Sequence, residues 1–594
     1  MNDSPAQGTA TIEEALASAR RLTPSNPKAA IRQAREIIRV EPSIAETYFI
    51  LSAALRLTGD VGGANDAEQQ GIRISKADPV LVRVAQYLAT DQLSNAERLL
   101  GLFLNDTPHD PEALRLSARL ATSRGKLARA QEFLRRSLHL APSFDEAAND
   151  LRSLFRAQEQ ALAVPSSAAD EPPVGTDEFD DALRRNEQLV AERPGNPDHW
   201  LSYGHVLRIS GRAQESLDAY RRSVEINPAY GQGWWSLADL KTFKFAPDDI
   251  ETMLQAVESS STSKQQSSLI QFALGKAYRD QGDFAASFRH YESANKLKRS
   301  LVTYFANSVE DHVAKSKALF TPEFFESRKG SGLATREPIF IIGMPRAGST
   351  LVEQILSSHS QVEGTEELFE LILLTEFLAD GHVAGMEAPP YLNKLTGLAP
   401  DEMSAMGASY IYSTRSKRQS KRPHFTDKMP SNWLHVGLIQ MILPNAYIVD
   451  VRRDPMSCCF SNFRQNFASG KNFAYDLEDL GRYYSAYVEL MAHYDQVLPG
   501  RIHRVNYERL TANPEEEIRK LLAYLDLPFE EACLRQHENP RAVKTSSSEQ
   551  VRQPIYSSSS DEVRPYEPWL EPLRTALGDV VDFYPNVPER WAQA

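Results

Sequence analysis

Apolar residues change their spacing about halfway along this chain of 594 residues. Up to about residue 320 they recur at the three- and four-residue intervals that are typical of amphipathic helices. Beyond that point, the mainly apolar runs at 338–342 and 446–451 and a third short strand-like segment at 502–505 alternate with helical patterns. Such runs are typical of strands buried on both faces, and their alternation with helices indicates a mainly parallel sheet. The pattern therefore predicts an all-α first half and an α/β second half.

The helical half also repeats itself. Trp200 and Trp234 stand 34 residues apart, and Pro194 and Pro228 are separated by the same interval. Residues 271–294 repeat this order of small and aromatic positions with a slip of a few residues. This half resembles the tetratricopeptide repeat, a helix–turn–helix unit in which small residues allow close packing and a proline ends the second helix.

A segment rich in proline, serine and alanine interrupts the repeats, and its composition predicts a flexible linker between two helical sub-arrays. The predicted boundaries are 1–156 for the first sub-array, 157–178 for the linker, 179–325 for the second sub-array and 335–594 for the α/β domain. Stacked repeats usually present a concave face to a peptide or protein. The array therefore either binds such a partner or only scaffolds or dimerises the second half, and both interpretations stay open.

The bulk composition limits the function classes. A net charge of -13 argues against wholesale binding to nucleic acid or to an anionic membrane. Three cysteines give no disulfide framework, which favours a reducing compartment. The sequence shows neither a signal-peptide pattern nor an apolar run long enough to span a bilayer. We therefore expect a cytoplasmic protein without nucleic-acid or membrane partners.

The segment 343–350 is the strongest candidate for chemistry. It follows the first buried run, ends in a Gly-Ser-Thr sequence and leads into a helical pattern. Backbone N–H groups in such a loop, together with the helix N-terminus and the Arg346 guanidinium, attract phosphate or sulfate. The loop nearly spells a nucleoside triphosphate P-loop, but Ser349 stands where that motif needs lysine. An ordinary strand–turn–helix without a ligand is the alternative interpretation.

From about residue 335 onward, the chain resembles a sulfotransferase and is most similar to the tyrosylprotein sulfotransferase branch. Several separate motifs occur in the order of that family, so the resemblance is more specific than the loop alone. It implies 3′-phosphoadenosine-5′-phosphosulfate as the sulfuryl donor, and no metal. The implied donor-binding residues are Arg346, Ala347, Gly348, Ser349 and Thr350 at the 5′-phosphosulfate, Arg453 and Ser461 at the 3′-phosphate, and Tyr507 and Arg564 as further contacts.

The same resemblance implies in-line transfer to an acceptor hydroxyl, such as a protein tyrosine. Glu367 matches the base that takes the acceptor proton, and the adjacent Glu366 is not excluded as that base. Lys428 matches the residue that stabilises the leaving phosphate oxygen. Ser547 matches a hydroxyl donor on a late loop that closes over the donor.

Some details leave other interpretations open. Family members often carry a further arginine a few residues past the serine of the 3′-phosphate helix, whereas Gln465 stands there in this chain, with Arg464 beside it. Ser457 shares a helical face with Ser461, so either hydroxyl could face the anion. The basic residues between 415 and 422 are interpreted as a solvated face. The alternative functions are a P-loop kinase or NTPase, and a non-enzymatic repeat adaptor.

Overall fold

The computed structural model describes residues 11–154 and 176–592, apart from 59, 91, 142, 148, 152–153, 241, 366, 380–386, 389, 416, 468–470, 540, 542–549 and 556–561. Its internal contacts divide the chain into two units. The first unit comprises residues 1–166, 372–382 and 408–413, and the second comprises 167–371, 383–407 and 414–594. Most of the predicted linker at 157–178 lies outside the described residues, and a helix begins at Thr176.

The first unit contains helices that pack against their neighbours in sequence, as helix–turn–helix repeats do. Several begin at a side-chain cap: Thr11, Asp78 and Asp110 each accept a hydrogen bond from a backbone N–H of the first turn. The bounds of these helices are Ile12–Ser25, Pro27–Val40, Ala45–Leu57, Val61–Lys76, Pro79–Ala89, Leu93–Asp106, Pro111–Ser123 and Leu127–Leu140.

The second unit opens with further helices, here called the repeat array, in which the same contacts recur along the chain. The indole N–H of Trp200 donates to the carbonyl oxygen of Pro194, and that of Trp234 donates to the carbonyl oxygen of Pro228, each at 2.8 Å. The array helices are Thr176–Glu192, Pro197–Ile209, Ala213–Ile226, Gly231–Asp239, Pro247–Glu258, Lys264–Gln281, Phe284–Arg299, Ala306–Leu319 and Pro322–Glu326.

Small residues let these helices approach closely, as the sequence predicts. A Cβ added to Gly204 would lie 2.5 Å from the Tyr220 ring, and one added to Gly275 would lie 2.7 Å from the Tyr291 ring. Both tyrosines are buried, so each repeat fills its core with an aromatic side chain that only glycine accommodates.

A five-stranded parallel sheet forms the centre of the α/β part, with the strand order β2-β3-β1-β4-β5. The strands are β1 Pro338–Gly343, β2 Val362–Glu363, β3 His424–Asp427, β4 Tyr447–Arg452 and β5 Ile502–Asn506. Every residue of β1 and β4 is buried, which explains their continuous apolar runs. The apolar pattern predicts β1, β4 and β5 and misses β2 and β3, which are only two and four residues long.

Helical segments connect and flank the strands, and this confirms the predicted combination of an all-α part with a parallel α/β part. The α-helices are Ser349–Ser357, Glu370–Leu378, Leu392–Leu395, Pro400–Arg415, Val436–Ile442, Pro455–Phe463, Leu477–Val497, Tyr507–Ala512, Pro514–Tyr524, Glu571–Leu577, Val580–Phe583 and Glu589–Ala592. The 3-10 helices are Pro430–His435, Asn472–Tyr475, Glu531–Glu538, Gln550–Arg552 and Arg564–Trp569.

Candidate active site

All five strands end at or shortly before a residue or loop that the sequence singles out. In the order of the sheet, β2 leads to Glu367, β3 to Lys428, β1 to the loop 344–348, β4 to Arg453 and β5 to Tyr507. Neighbouring parallel strands lie about 4.8 Å apart, and their carboxyl ends share one edge. These groups therefore follow one another along the edge at which open parallel sheets bind ligands.

The loop 344–348 takes its shape from two residues with a left-handed backbone. Arg346 has a φ of 66° and Gly348 has a φ of 103°. Turns with such residues bring successive backbone N–H groups toward one point, and Gly348 directly precedes the helix Ser349–Ser357. The loop therefore has the backbone shape of an anion cradle. Ala347 of the loop and the first two helix residues, Ser349 and Thr350, are buried.

Tyr507 packs against this loop from the end of β5. A Cβ added to Gly348 would lie 2.5 Å from Tyr507 Cδ2, so the ring reaches the loop only because residue 348 is glycine. The Arg453 guanidinium lies over the same ring, 5.1 Å from its centroid. Tyr507 thus supports both the loop and Arg453.

Two arginines and one serine meet beside the loop. Arg346 Nε donates to Ser461 Oγ at 3.3 Å, and Arg453 donates to the carbonyl oxygen of Arg346 at 3.1 Å. Burial and the positive charge of Arg453 lower the pKa of the Arg346 guanidinium from its ordinary value. Because the two cations destabilise each other, an anion bound beside them would be favoured.

The helix Pro455–Phe463, here called the serine helix, presents Ser461 to the loop. It starts with Asp454 as its cap, which accepts the backbone N–H of Ser457 at 2.8 Å. Asn462 donates to the carbonyl oxygen of Pro345 at 2.7 Å and so fastens the helix to the loop. Of the two serines that the sequence leaves open, Ser461 is the one hydrogen-bonded to Arg346. No motif in the sequence pointed to Asn462.

Lys428 and Glu367 form an ion pair on the other side of β1. Lys428 Nζ lies 2.6 Å from Glu367 Oε1, and the side chains are 2% and 33% exposed. Burial opposes ionisation of Glu367, but the positive charges of Lys428 and Lys471 outweigh it, so its pKa lies below the ordinary value. Glu367 is therefore an ionised carboxylate at neutral pH, which is the state that a general base requires.

Arg541 holds the turn that precedes Glu367, and sequence reasoning missed it. Its guanidinium donates to the carbonyl oxygens of Gly364, at 3.1 Å, and Thr365. It also bonds Gln354 Oε1 at 2.9 Å and pairs with Glu353 at 3.1 Å. One side chain thus fixes two consecutive carbonyls to the helix Ser349–Ser357. No pattern in the sequence signals these contacts, since the partners of the Arg541 guanidinium all lie more than 170 residues away along the chain.

Arg464 and Gln465 follow the serine helix, near the position at which the sequence resemblance implies a further arginine. Gln465 is 6% exposed, and Arg464 has an 11% exposed side chain. A terminal nitrogen of Arg464 lies 2.7 Å from Glu562 Oε2. Arg464 also lowers the pKa of Arg346, after burial and Arg453, so its charge reaches the loop.

The remaining predicted residues are not part of this cluster as described. Glu366 and Ser547 lie outside the described residues. Arg564 is exposed at the start of a 3-10 helix. His359 is buried, and its Nε2 lies 2.9 Å from the carbonyl oxygen of Pro528.

The described part of the chain shows neither a metal-binding cluster nor a membrane-spanning helix. Within it, no group of three or more His, Cys, Asp or Glu side chains is arranged to hold a metal ion. No helix in the same ranges combines the length and the apolarity needed to cross a bilayer.

Comparison with protein families gives two matches. Residues 338–531 match the sulfotransferase family, and residues 174–231 match the tetratricopeptide repeat. The first match spans all five strands and the residues from Arg346 to Tyr507, and the second lies in the repeat array.

Two individual relatives match only parts of this chain, at 33% and 25% identity. An uncharacterized protein of Aquifex aeolicus is 33% identical over 374 residues, which are 62% of this chain and 48% of the relative. The protein-tyrosine sulfotransferase of Drosophila melanogaster is 25% identical over 225 residues, which are 36% of this chain and 45% of the relative. The chain thus spans about half the length of these relatives.

Among solved structures, the sulfotransferase domain from the Synechococcus PCC 7002 olefin synthase aligns with a TM-score of 0.30 and 19% identity. The alignment covers 39% of this chain and 88% of that domain. The two family matches, with the parallel sheet and its order of strand ends, confirm the resemblances predicted from sequence. Residues 338–531 are therefore similar to the sulfotransferase family, and residues 174–231 are similar to the tetratricopeptide repeat.

Proposed function

We propose that the chain transfers a sulfuryl group from 3′-phosphoadenosine-5′-phosphosulfate to an acceptor hydroxyl. The observation that carries this proposal is the order of groups along the sheet edge. The Lys428–Glu367 pair lies at the end of β3, and the Arg346–Arg453–Ser461 cluster lies at the ends of β1 and β4. Cationic groups at both places, with an anion cradle between them, suit a donor that carries separate anionic groups.

The cationic and hydrogen-bond-donating groups of the site suit such a molecule. Arg453 and Ser461 would bind the 3′-phosphate, because a guanidinium and a hydroxyl donor both suit phosphate oxygens. The loop N–H groups with Ser349 and Thr350 would hold the 5′-phosphosulfate, assisted by Arg346. Ser349 in place of a P-loop lysine disfavours a triphosphate at the same loop.

The chemical step uses the ion pair. Glu367 accepts the proton of the acceptor hydroxyl while the acceptor oxygen bonds to sulfur and the bond from sulfur to the phosphate oxygen breaks. Lys428 donates to that leaving oxygen and stabilises its developing negative charge. As Lys428 turns from the carboxylate to the leaving oxygen, Glu367 becomes more basic at the moment it takes the proton.

The acceptor in this proposal is a protein tyrosine, recognised with the help of the repeat array. Relatives with the name protein-tyrosine sulfotransferase support this acceptor, and tetratricopeptide repeats commonly bind peptides. A reducing, cytoplasmic location belongs to the same proposal, since the described cysteines are buried and free: Cys458, Cys459 and Cys533.

Purified full-length protein tests the proposal directly. Titration calorimetry with 3′-phosphoadenosine-5′-phosphate should show binding, and incubation with labelled donor should label tyrosine peptides in a panel that also contains phenols and sugars. Labelling of phenols or sugars alone would overturn the protein-tyrosine acceptor and keep sulfuryl transfer. No binding together with no transfer to any acceptor would overturn the function, and Mg²⁺-dependent ATP consumption would support the kinase or NTPase alternative.

A further inference from the structure

The array helix Phe284–Arg299 packs directly against the serine helix. Phe288 stacks with Phe463, the last residue of the serine helix, at a centroid distance of 6.2 Å. The contact joins the repeat array to the element that carries Ser461, and both belong to the same unit of the fold.

Asn295 makes this contact specific. Its side chain is buried, and Nδ2 donates to the carbonyl oxygen of Phe463 at 2.8 Å and to that of Tyr291 at 2.7 Å. The last carbonyl groups of an α-helix have no partner within the helix, so an outside donor must satisfy them when they are buried. Asn295 is that donor for Phe463.

Tyr566, from the C-terminal 3-10 helix, makes a second contact with the serine helix. The centroid of the Tyr566 ring lies 4.4 Å from that of the Phe460 ring of the serine helix. The Tyr566 hydroxyl lies 2.9 Å from Ser287 Oγ on the array helix. The array and the C-terminal 3-10 helix Arg564–Trp569 thus enclose the end of the serine helix.

This end of the serine helix matters for anion binding. Ser461 stands two residues before Phe463, and Arg464 directly follows Phe463. If the Phe463 carbonyl loses its donor, the last turn has to refit to satisfy it, and the bond from Arg346 Nε to Ser461 Oγ changes with it.

We propose that the repeat array is part of the donor-nucleotide site, with Asn295 as a positioning residue that holds Ser461 and Arg464 toward the 3′-phosphate. This inference rests on the proposed function, because it takes the 3′-phosphate as the ligand of Ser461. It assigns the array a role in donor binding that is independent of any partner on its concave face.

The test compares two probes on full-length protein: 3′-phosphoadenosine-5′-phosphate, and 5′-AMP, which lacks the 3′-phosphate. Asn295→Ala should weaken binding of the first probe about tenfold, the effect of losing roughly one buried hydrogen bond, and leave 5′-AMP binding within about twofold. A purely structural role would instead lower the folded fraction, or weaken both probes equally.

The repeats supply a matched pair of further variants. Ser216 and Ser287 donate to the carbonyl oxygens of Gly204 and Gly275 at 2.8 and 2.7 Å, but only Ser287 also bonds Tyr566. Ser287→Ala should weaken the 3′-phosphate probe about threefold without affecting 5′-AMP, and Ser216→Ala should change neither. Ser287→Ala decides the matter if Asn295→Ala does not fold.

The possible outcomes separate the inference from the function it rests on. If the unsubstituted protein binds no 3′-phosphoadenosine-5′-phosphate, the proposed function is wrong. If it binds this probe, an unchanged ratio of the two affinities in Asn295→Ala overturns the inference, and a selective loss of the 3′-phosphate probe supports it. If Asn295→Ala does not fold, identical behaviour of the two serine variants overturns the inference, and a selective loss in Ser287→Ala alone supports it.

Discussion

Lys428 Nζ lies 2.6 Å from Glu367 Oε1, yet the two side chains differ in access to solvent. The ammonium is almost fully buried, whereas a third of the Glu367 side chain is exposed. A proton acceptor must reach the incoming hydroxyl, and a cation that stabilises a leaving group acts best away from water. The pair therefore has the accessibility that its two proposed roles require.

Substitution of Lys471 tests how nearby charge sets the pKa of Glu367 while Lys428 and Glu367 themselves stay unchanged. Its positive charge contributes to the lowered pKa of Glu367, after the larger effects of burial and Lys428. Lys471→Met should raise the pKa of Glu367, because removing a nearby cation disfavours the ionised carboxylate. The acidic limb of the profile of kcat/KM against pH should therefore move to higher pH.

The measurement is sulfuryl transfer at low substrate concentration between about pH 4 and 7. Lys421→Met is the control, because Lys421 is an exposed lysine of the same domain and should leave the limb in place. If the limb does not move in Lys471→Met, or moves to lower pH, the base is not Glu367 in the surroundings described.

Gly348→Ala should destabilise the protein and weaken nucleotide binding. The added Cβ would overlap Tyr507, and residue 348 needs a left-handed backbone that alanine disfavours. We expect a loss of about 1–3 kcal/mol in the free energy of unfolding, measured by denaturant titration. In the background of Tyr507→Ala the same substitution should cost less, because the overlap is gone; an equal cost would contradict the packing of Tyr507 on the loop.

Arg541→Lys should lower turnover about tenfold while leaving nucleotide affinity unchanged. Lysine keeps the charge but cannot hold the Gly364 and Thr365 carbonyls and Gln354 together with one planar group. The turn before Glu367 would then be less well fixed. Steady-state kinetics and calorimetry measure the two effects, with the exposed Arg535→Lys as the matched control. Normal turnover in Arg541→Lys would remove its positioning role.

Substitutions of Arg464 and of Gln465 should differ in how much they weaken binding of the 3′-phosphate. Arg464→Ala should weaken binding of 3′-phosphoadenosine-5′-phosphate about tenfold more than binding of 5′-AMP, because a cation near Arg346 is lost. Gln465→Ala should not change the ratio of the two affinities. Calorimetric titration of both variants checks this, and the opposite order of effects would assign the anion contact to Gln465.

The residues at the strand ends could be predicted because their signals are local. A buried strand is a continuous apolar run, and a residue directly after it must lie at the carboxyl edge of the sheet. Arg346 and Arg453 follow the buried strands β1 and β4 within a few residues, so their common location needs only the strand pattern and parallel pairing. Glu367, Lys428 and Tyr507 follow strands that have no continuous apolar run, and the family resemblance is what singles them out.

Contacts between residues far apart in the chain could not be predicted. Asn295 and Arg541 act through carbonyl groups of distant segments, and nothing in their own sequence neighbourhood marks them. The interpretation of residues 415–422 as a solvated face was partly wrong for the same reason. Arg418 pairs with Glu337 at 2.6 Å, and Arg422 donates to the carbonyl oxygen of Val362 at 2.7 Å.

The most direct test of the account compares the unsubstituted protein with Glu367→Gln in a paired measurement. Both should bind 3′-phosphoadenosine-5′-phosphate with the same affinity, because the proposed role of Glu367 is toward the acceptor and not toward the nucleotide. Transfer of labelled sulfuryl to a hydroxyl acceptor should fall at least about a hundredfold in Glu367→Gln, the loss expected when a general base is removed. Equal transfer by both proteins, or no nucleotide binding by the unsubstituted chain, would contradict the account.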